Sequence, residues 1–393
     1  MNEDKATRYH RAKRHISVLG LLWTGLLLGG LAWTGWSLAV RDAAESAASR
    51  VVGDTWLPGL TVVLYVLVLS LFNEVGNLPL GFYSGYVIER RYGLSNEPFR
   101  RRAVDQTKSF GIGLFLGCSA AALIYALIRL SPAYWWISAG ALFALLIVGL
   151  TNVAPVLLLP LFYTVKPLDR KALRARLLTL AERAGARVLG AYEWGLGEKT
   201  RKANAALAGI GGTRRILVSD TMLAEYTDEE IEVVLAHELA HHVHGDIWKG
   251  IVFESALILA GFGLASAVLA GLSARLGLRN VADPAGLPLL LLVSGGVSLV
   301  MMPVAHAISR MYERSADRFA LTLTGNPRAF ISAMRRLGSQ NLAEEHPSKI
   351  VQWMFYSHPP IRERIASAEA FSPGTGSPAM TRPVDLTSVE GRP

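Results

Sequence analysis

His237-Glu238-Leu239-Ala240-His241 sets two histidines four residues apart, a spacing that stacks them on one face of a helix. Two imidazoles on one face suit a tetrahedral zinc ion, and the intervening Glu238 stands where a hydrolytic water needs a general base. That chemistry requires a helix, and the preceding residues supply one. In Thr227-Asp-Glu-Glu230-Ile-Glu-Val-Val-Leu-Ala-His237, Thr227 caps the first turn and Glu230, three residues on, completes a capping box. Catalytic zinc takes a third protein ligand and keeps an open position. The third ligand has to come from downstream, where Ser309-Arg-Met-Tyr-Glu313-Arg-Ser-Ala-Asp317 places Glu313 and Asp317 on one helix face. Glu313 is the expected third ligand to one zinc ion per chain. Asp317 is either a partner that orients a ligand histidine or a participant in proton transfer. Taken alone, this segment reads as a solvated face of Glu and Arg, with Arg310, Arg314 and Arg318 beside it. The HExxH upstream is what favours the metal.

The elements that must position these groups are membrane helices. The chain has 393 residues, 51% hydrophobic and 18% charged, with a mean hydropathy of +0.31. Soluble domains carry about a quarter charged residues. Six apolar stretches, near residues 16–40, 56–80, 110–130, 134–163, 247–272 and 287–308, are each long enough to cross ~30 Å of hydrocarbon. The first is too long for a signal-peptide core and lacks a cleavage site, so a retained helix is expected. The net charge of +9 raises a nucleic-acid reading. The basic residues, however, cluster beside the apolar stretches, and no RNA- or DNA-binding motif accompanies them. Cys118, the single cysteine, lies in an apolar run, which excludes an intrachain disulfide and a multi-cysteine metal site.

Charge asymmetry orients the helices. Lys5, Arg8, Arg11, Lys13 and Arg14 precede the first span, and Arg90, Arg91, Arg100, Arg101, Arg102 and Lys108 lie around the loop after the second. The loop after the first span mixes Arg41 and Arg50 with Asp42, Glu45 and Asp54. This pattern places the N-terminus in the cytoplasm. Four crossings before residue 164 then put residues 166–246 on the same side, and two more return the chain there at Ser309. Both halves of the expected zinc site share one compartment.

The polar portion is therefore split around the fifth and sixth helices. Residues 166–185 read as a basic amphipathic helix with Leu173, Leu177, Leu178 and Leu180 on its apolar face, packed on the membrane surface or on the domain. Tyr192–Trp194 and Ile216–Val218 read as short strands, with residues 204–212 as a flexible edge leading to the second. A phosphate-binding loop there is excluded, since no Gly-Lys-Ser/Thr follows. Helices are expected over residues 310–323 and 327–337, and a disordered tail over 372–393. The domain reading is a membrane domain of four helices (1–165), a peptidase domain interrupted by two membrane helices (166–371), and the tail. No repeat of solenoid period is present.

Several motifs in order resemble the integral-membrane type I CAAX prenyl proteases, a gluzincin group of zinc metalloendopeptidases. Asn77-Leu-Pro-Leu-Gly-Phe-Tyr-Ser-Gly-Tyr86-Val-Ile-Glu89-Arg-Arg-Tyr-Gly93-Leu is similar to that family's N-terminal membrane signature. Lys202-Ala-Asn204-Ala is similar to its substrate-edge strand. His237–His241, Glu313…Asp317 and Ser357-His358-Pro359-Pro360 complete the set over roughly residues 55–368. The resemblance implies a mainly α fold: a polytopic bundle of about six transmembrane helices with a split gluzincin zinc-protease domain containing a small β-sheet. It implies His237, His241 and Glu313 as zinc ligands, Glu238 as general base, Asp317 as proton donor, and His358 as a group close enough to stabilise the oxyanion. Asn204 would hydrogen-bond the backbone of a peptide added to the edge strand. The alternative for His358-Pro359-Pro360 is a rigid turn.

His242 and His244, just past the ligands, are expected to be structural or exposed, and His306 is a candidate for a wet chamber wall. The partners expected are a peptide or protein substrate and the lipid bilayer, with no nucleic acid. The expected location is the plasma (inner) membrane, with the site on the cytoplasmic side. A quality-control protease with unprenylated clients shares this chemistry, and a non-catalytic membrane scaffold is the third reading. Glu238 argues against a scaffold, because a structural zinc site has no use for a base. The short 273–286 connection has no room for a large inserted domain.

Overall fold

The structure, a computed structural model, describes residues 4–209 and 211–372, so the tail from residue 373 onward lies outside it. The chain begins with helix α1 (Lys5–Thr34), the shorter α2 (Trp36–Ser49) and α3 (Leu57–Phe82). A π-helical turn at Tyr83–Ile88 carries α3 on to Arg91. Next come α4 (Phe99–Leu130) and α5 (Trp135–Val153), the latter extended through a second π turn at Ala154–Leu158 to Phe162. Strand β1 (Val165–Pro167), helix α6 (Lys171–Arg183), β2 (Ala191–Trp194), β3 (Ala205–Ala208) and β4 (Arg215–Ser219) follow. Then come α7 (Asp220–Glu225), α8 (Asp228–Val243), α9 (Asp246–Leu272) and α10 (Leu287–Thr324). The last helices are α11 (Pro327–Gln340), α12 (Lys349–Phe355) and α13 (Ile361–Glu369).

Among the described residues six helices are long and apolar enough to cross a membrane, and they coincide with the six expected stretches. Several helices run past the expected stretches, and one falls short. The first stretch was expected to run to Val40, but the helix stops at Thr34 because Gly35 takes the left-handed conformation, φ 79°. The remainder, α2, is about 21 Å long at ~1.5 Å per residue, too short to span. It serves instead as a latch across the far ends of the bundle. Arg41 Nη1 donates to Asp283 Oδ2 at 2.6 Å, with both side chains nearly out of water. Ser37 Oγ donates to Ala285 O (2.6 Å), and Arg279 pairs with Glu45 (2.7 Å). The 273–286 connection is thereby fastened to the N-terminal helices.

At the other end of the bundle sits the four-stranded sheet, ordered β1-β2-β4-β3, with β2 and β4 parallel and the outer pairs antiparallel. Two of these strands were expected. β3 falls within the stretch expected to be a flexible edge, and β1 ends in a proline, which the sheet tolerates because β1 lies at its margin. Leu173, Leu177 and Leu180 of α6 are buried in one core with Ile216, Val218, Ile231, Leu235 and Phe330. The amphipathic helix therefore packs on the domain. Helix α8 runs through this core, and Ile231, Leu235, Ala236 and Leu239 are fully covered. Its start is capped as the sequence predicts. Thr227 Oγ1 accepts from Glu230 N (3.3 Å), and Glu230 Oε2 accepts from Thr227 N (2.9 Å).

Candidate active site

Three side chains from two helices meet at one point. His237 and His241 come from α8, and Glu313 comes from the part of α10 that has left the apolar stretch. His237 Nε2 lies 3.2 Å from Glu313 Oε2, and His241 Nε2 lies 3.5 Å from Glu313 Oε1. The three candidate ligand atoms lie within 4.8 Å of one another. Both imidazoles are turned this way by carboxylates behind them. His237 Nδ1 faces Asp317 Oδ1 at 2.9 Å, and His241 Nδ1 faces Asp246 Oδ2 at 3.1 Å. A proton held on each Nδ1 leaves each Nε2 with its lone pair pointing at Glu313. Glu313 Oε2 is buried and has no hydrogen-bond partner among the described residues, although a ring nitrogen is within reach. Imidazole and carboxylate lone pairs facing one another are the arrangement a cation resolves, so this donor set fits a metal.

Asp317 is held from its other side. Arg364, on α13, grips it with two bonds, Nε to Oδ2 at 2.9 Å and Nη2 to Oδ1 at 2.5 Å. Its carboxylate thus backs the ring of His237 on the side away from Glu313. Asp246 also accepts from Lys249 Nζ at 2.9 Å. Neither Asp246 nor Arg364 was singled out in the sequence. Asp246 follows Gly245, whose left-handed φ of 70° ends α8 and turns the chain back toward His241. An acid just past the second HExxH histidine and a Gly turn was the available signal.

A cavity of about 320 Å³ opens beside the ligands, lined by Asn204, Ala205, His237, Glu238, His358 and Arg364 among others. Burial pushes the Glu238 carboxyl up from its ordinary range. His358 is exposed to this cavity, with Nε2 3.2 Å from Glu313 Oε1 and Nδ1 2.9 Å from Ser357 Oγ. A Ser357 hydroxyl donating to Nδ1 then leaves the Nε2 proton facing the site. The sequence-predicted residues Asn204, Glu238 and His358 therefore share one cavity with His237.

The edge of β3 borders this cavity. Asn204 O accepts from Ser219 N at 2.9 Å, so the antiparallel alternation turns the amide and carbonyl of residues 203, 205 and 207 outward. Asn341 closes Ala203 with both halves of its amide, accepting from its N (3.0 Å) and donating to its O (3.1 Å). His242 Nε2 lies 3.2 Å from Leu207 O. Between them Ala205 presents its backbone to the cavity, and among the described residues no side chain closes it. His242 is structural, as expected. His244 packs edge-on against Phe319 and lies outside the ligand set. Nδ1 of His306 is buried without a partner among the described residues.

Residues 167–372 match the model of peptidase family M48, and residues 2–164 match that of the CAAX prenyl protease N-terminal region, described as five membrane helices. The uncharacterized metalloprotease YhfN of Bacillus subtilis is 30% identical over 368 residues, covering 93% of this chain and 84% of that protein. CAAX prenyl protease 1 of Saccharomyces cerevisiae is 24% identical over 392 residues, covering 94% and 86%. The crystal structure of S. mikatae Ste24p superimposes with a TM-score of 0.81 at 21% identity, covering 93% of this chain and 88% of that one. That likeness gives the fold: a helical membrane bundle carrying a small-sheet protease domain. Family, fold and ligand geometry agree, and the chain belongs to peptidase family M48 as an integral-membrane metallopeptidase of the CAAX prenyl protease type.

Proposed function

We propose that this metallopeptidase is a zinc endopeptidase that cleaves extended peptide segments at the cytoplasmic face of the plasma membrane. The observation that carries the reading is the convergence of His237 Nε2, His241 Nε2 and the Glu313 carboxylate, whose Oε2 has no hydrogen bond among the described residues, each histidine backed by its own aspartate. Two nitrogens and a carboxylate with an open side match catalytic zinc. Zinc held there supplies Lewis acidity, which makes a water nucleophilic at neutral pH and draws charge from a carbonyl oxygen. Glu238 takes the proton of the attacking water and returns it to the leaving amine. Asp317, occupied by His237 and Arg364, orients the ligand in preference to shuttling protons. His358 offers its Nε2–H to the oxyanion. Asn204 and the open backbone of Ala205 receive the peptide as an added strand.

The basic residues flanking α1 and α3 support a cytoplasmic site. Residues 1–165 act as the membrane scaffold and 166–371 as the peptidase unit. The size of the cavity favours an extended chain over a folded domain. The relatives' name, CAAX prenyl protease, makes C-terminal CAAX peptides, prenylated or not, the first clients to try. The test is zinc content and cleavage of such peptides by detergent-purified protein beside Glu238→Gln. One zinc in both proteins, with turnover lost about 10²–10⁴-fold only in the variant, is the expected outcome. Absence of zinc from both proteins overturns the ligand assignment.

A further inference from the structure

The stretch Asn77–Leu94 has no part in the metal chemistry, yet its acidic residue Glu89 is tied to both domains. Glu89 sits just beyond the π turn of α3, with a side chain only 13% exposed. Its Oε1 accepts from the Tyr9 hydroxyl at 2.6 Å and from Lys13 Nζ at 3.1 Å, both on α1. Its Oε2 lies 3.1 Å from Lys202 Nζ. Lys202 also donates to the Tyr9 hydroxyl (3.0 Å) and lies over the Tyr9 ring, 5.4 Å from its centroid. Two ammonium groups and a phenol thus converge on one carboxylate, each able to bond it with charge assistance.

Lys202 stands two residues ahead of Asn204, in the segment that feeds the edge strand. Besides bonds from Thr221 to Lys202 O and from Gln340 to Arg201 O, that segment is fastened to the same part of the membrane domain. Thr200 Oγ1 and Arg201 N both donate to Leu94 O, at 2.8 and 3.0 Å, and Asn96 N donates to Lys199 O at 3.0 Å. None of these bonds reaches α8 or α10, which carry the metal-binding groups. The N-terminal membrane helices therefore grip the lead-in to β3 directly, and Glu89 is the charged centre of that grip.

We propose that Glu89 is a positioning residue for substrate: by holding Lys202 it fixes Asn204 and the open backbone of Ala205 at the depth where a peptide must dock. The proposal rests on the function proposed above, in which the β3 edge receives the peptide. Glu89→Gln leaves the Lys13 and Lys202 ammonium groups facing each other without a counter-charge. The lead-in then moves off, and the docking edge moves with it. The metal ligands stay, because their own partners are Asp246, Asp317 and Arg364.

The experiment measures steady-state kinetics on a fluorescence-quenched CAAX peptide that the wild-type full-length protein cleaves in detergent, together with zinc content. Glu89→Gln is expected to raise KM about tenfold, the scale of one charge-assisted hydrogen bond, with kcat within about twofold and zinc unchanged. Lys202→Met is expected to raise KM similarly, and Lys202→Arg to restore it. The double variant Glu89→Gln/Lys202→Met should be no worse than either single one, since removing the second charge relieves the repulsion left by the first. A wild-type KM in Glu89→Gln, additive effects in the double variant, or a joint fall of kcat and zinc overturns the proposal. Should Glu89→Gln fail to fold, Lys202→Met and Lys202→Arg carry the test by themselves. A wild type that cleaves while these variants behave like it sinks this inference alone, whereas a wild type holding no zinc sinks the functional reading beneath it.

Discussion

Replacing Asp246 with Asn removes one charge and almost no volume, so it isolates what the carboxylate does for His241. The Asp246 side chain is 7% exposed, and its Oδ2 accepts a hydrogen bond from His241 Nδ1 at 3.1 Å. Its other oxygen holds Lys249, whose side chain is half exposed and returns to water at little cost. The variant keeps a hydrogen-bond acceptor for Nδ1 but loses the charge that makes the imidazole a stronger donor to metal. Partners of this kind are worth about ten- to a hundredfold in metal affinity, or about 1.4–2.7 kcal/mol. The metal-free fold should change by under about 1 kcal/mol, because no buried group is left unpaired. Competition for zinc against a chromophoric chelator reads the first quantity, and thermal unfolding of the metal-stripped protein in detergent reads the second. Zinc affinity within twofold of wild type would refute the claim that Asp246 orients and strengthens this ligand. So would a large loss of metal-free stability with affinity intact, since Asp246 would then be a folding residue.

Asp317→Asn should lower both quantities, since Asp317 backs His237 as Asp246 backs His241. It also leaves Arg364, whose side chain is 9% exposed, without its counter-charge, and an uncompensated buried cation costs about 3–5 kcal/mol, so unfolding in detergent should shift strongly even without zinc. Thr227→Ala breaks the reciprocal cap of α8 and should cost about 1 kcal/mol in the same assay, leaving cleavage per folded molecule unchanged. Arg41→Met leaves Asp283 buried at the far end of the bundle. A cost of about 3 kcal/mol is expected, the low end for a broken buried pair, because the backbone amides of Arg279 and Ala285 still donate to Asp283. Zinc content should not change, and a loss of zinc in Arg41→Met would contradict the separation of latch and site.

The metal set was legible because each part sits on a helix and helices keep strict spacing. A four-residue gap in α8, and a carboxylate just after an apolar run, fix direction and depth without tertiary detail. The groups behind the ligands were not legible for the opposite reason. Asp246 reaches His241 only through the turn at Gly245, and Arg364 reaches Asp317 only after the chain has passed His358 and Pro360. Periodicity carries no information across such turns. The break at Gly35 was hidden because the apolar run continues through it, and hydropathy does not register a positive φ. β3 was taken for a flexible edge because Ala-Ala-Leu-Ala followed by glycines has little strand propensity of its own. Pairing with β4 makes it a strand, and local composition cannot show that.

The insertion of α9 and α10 between the halves of the peptidase unit has a consequence for biogenesis. His237 and His241 are synthesised before the last two membrane helices, whereas Glu313, Asp317, His358 and Arg364 come after them. A nascent chain halted before or within that hairpin has two histidines and no carboxylate to complete the set. On the proposed ligand set, hydrolytic competence arrives only after the final apolar helix has been made. The order of the chain alone delays completion of the site until α10 has been made.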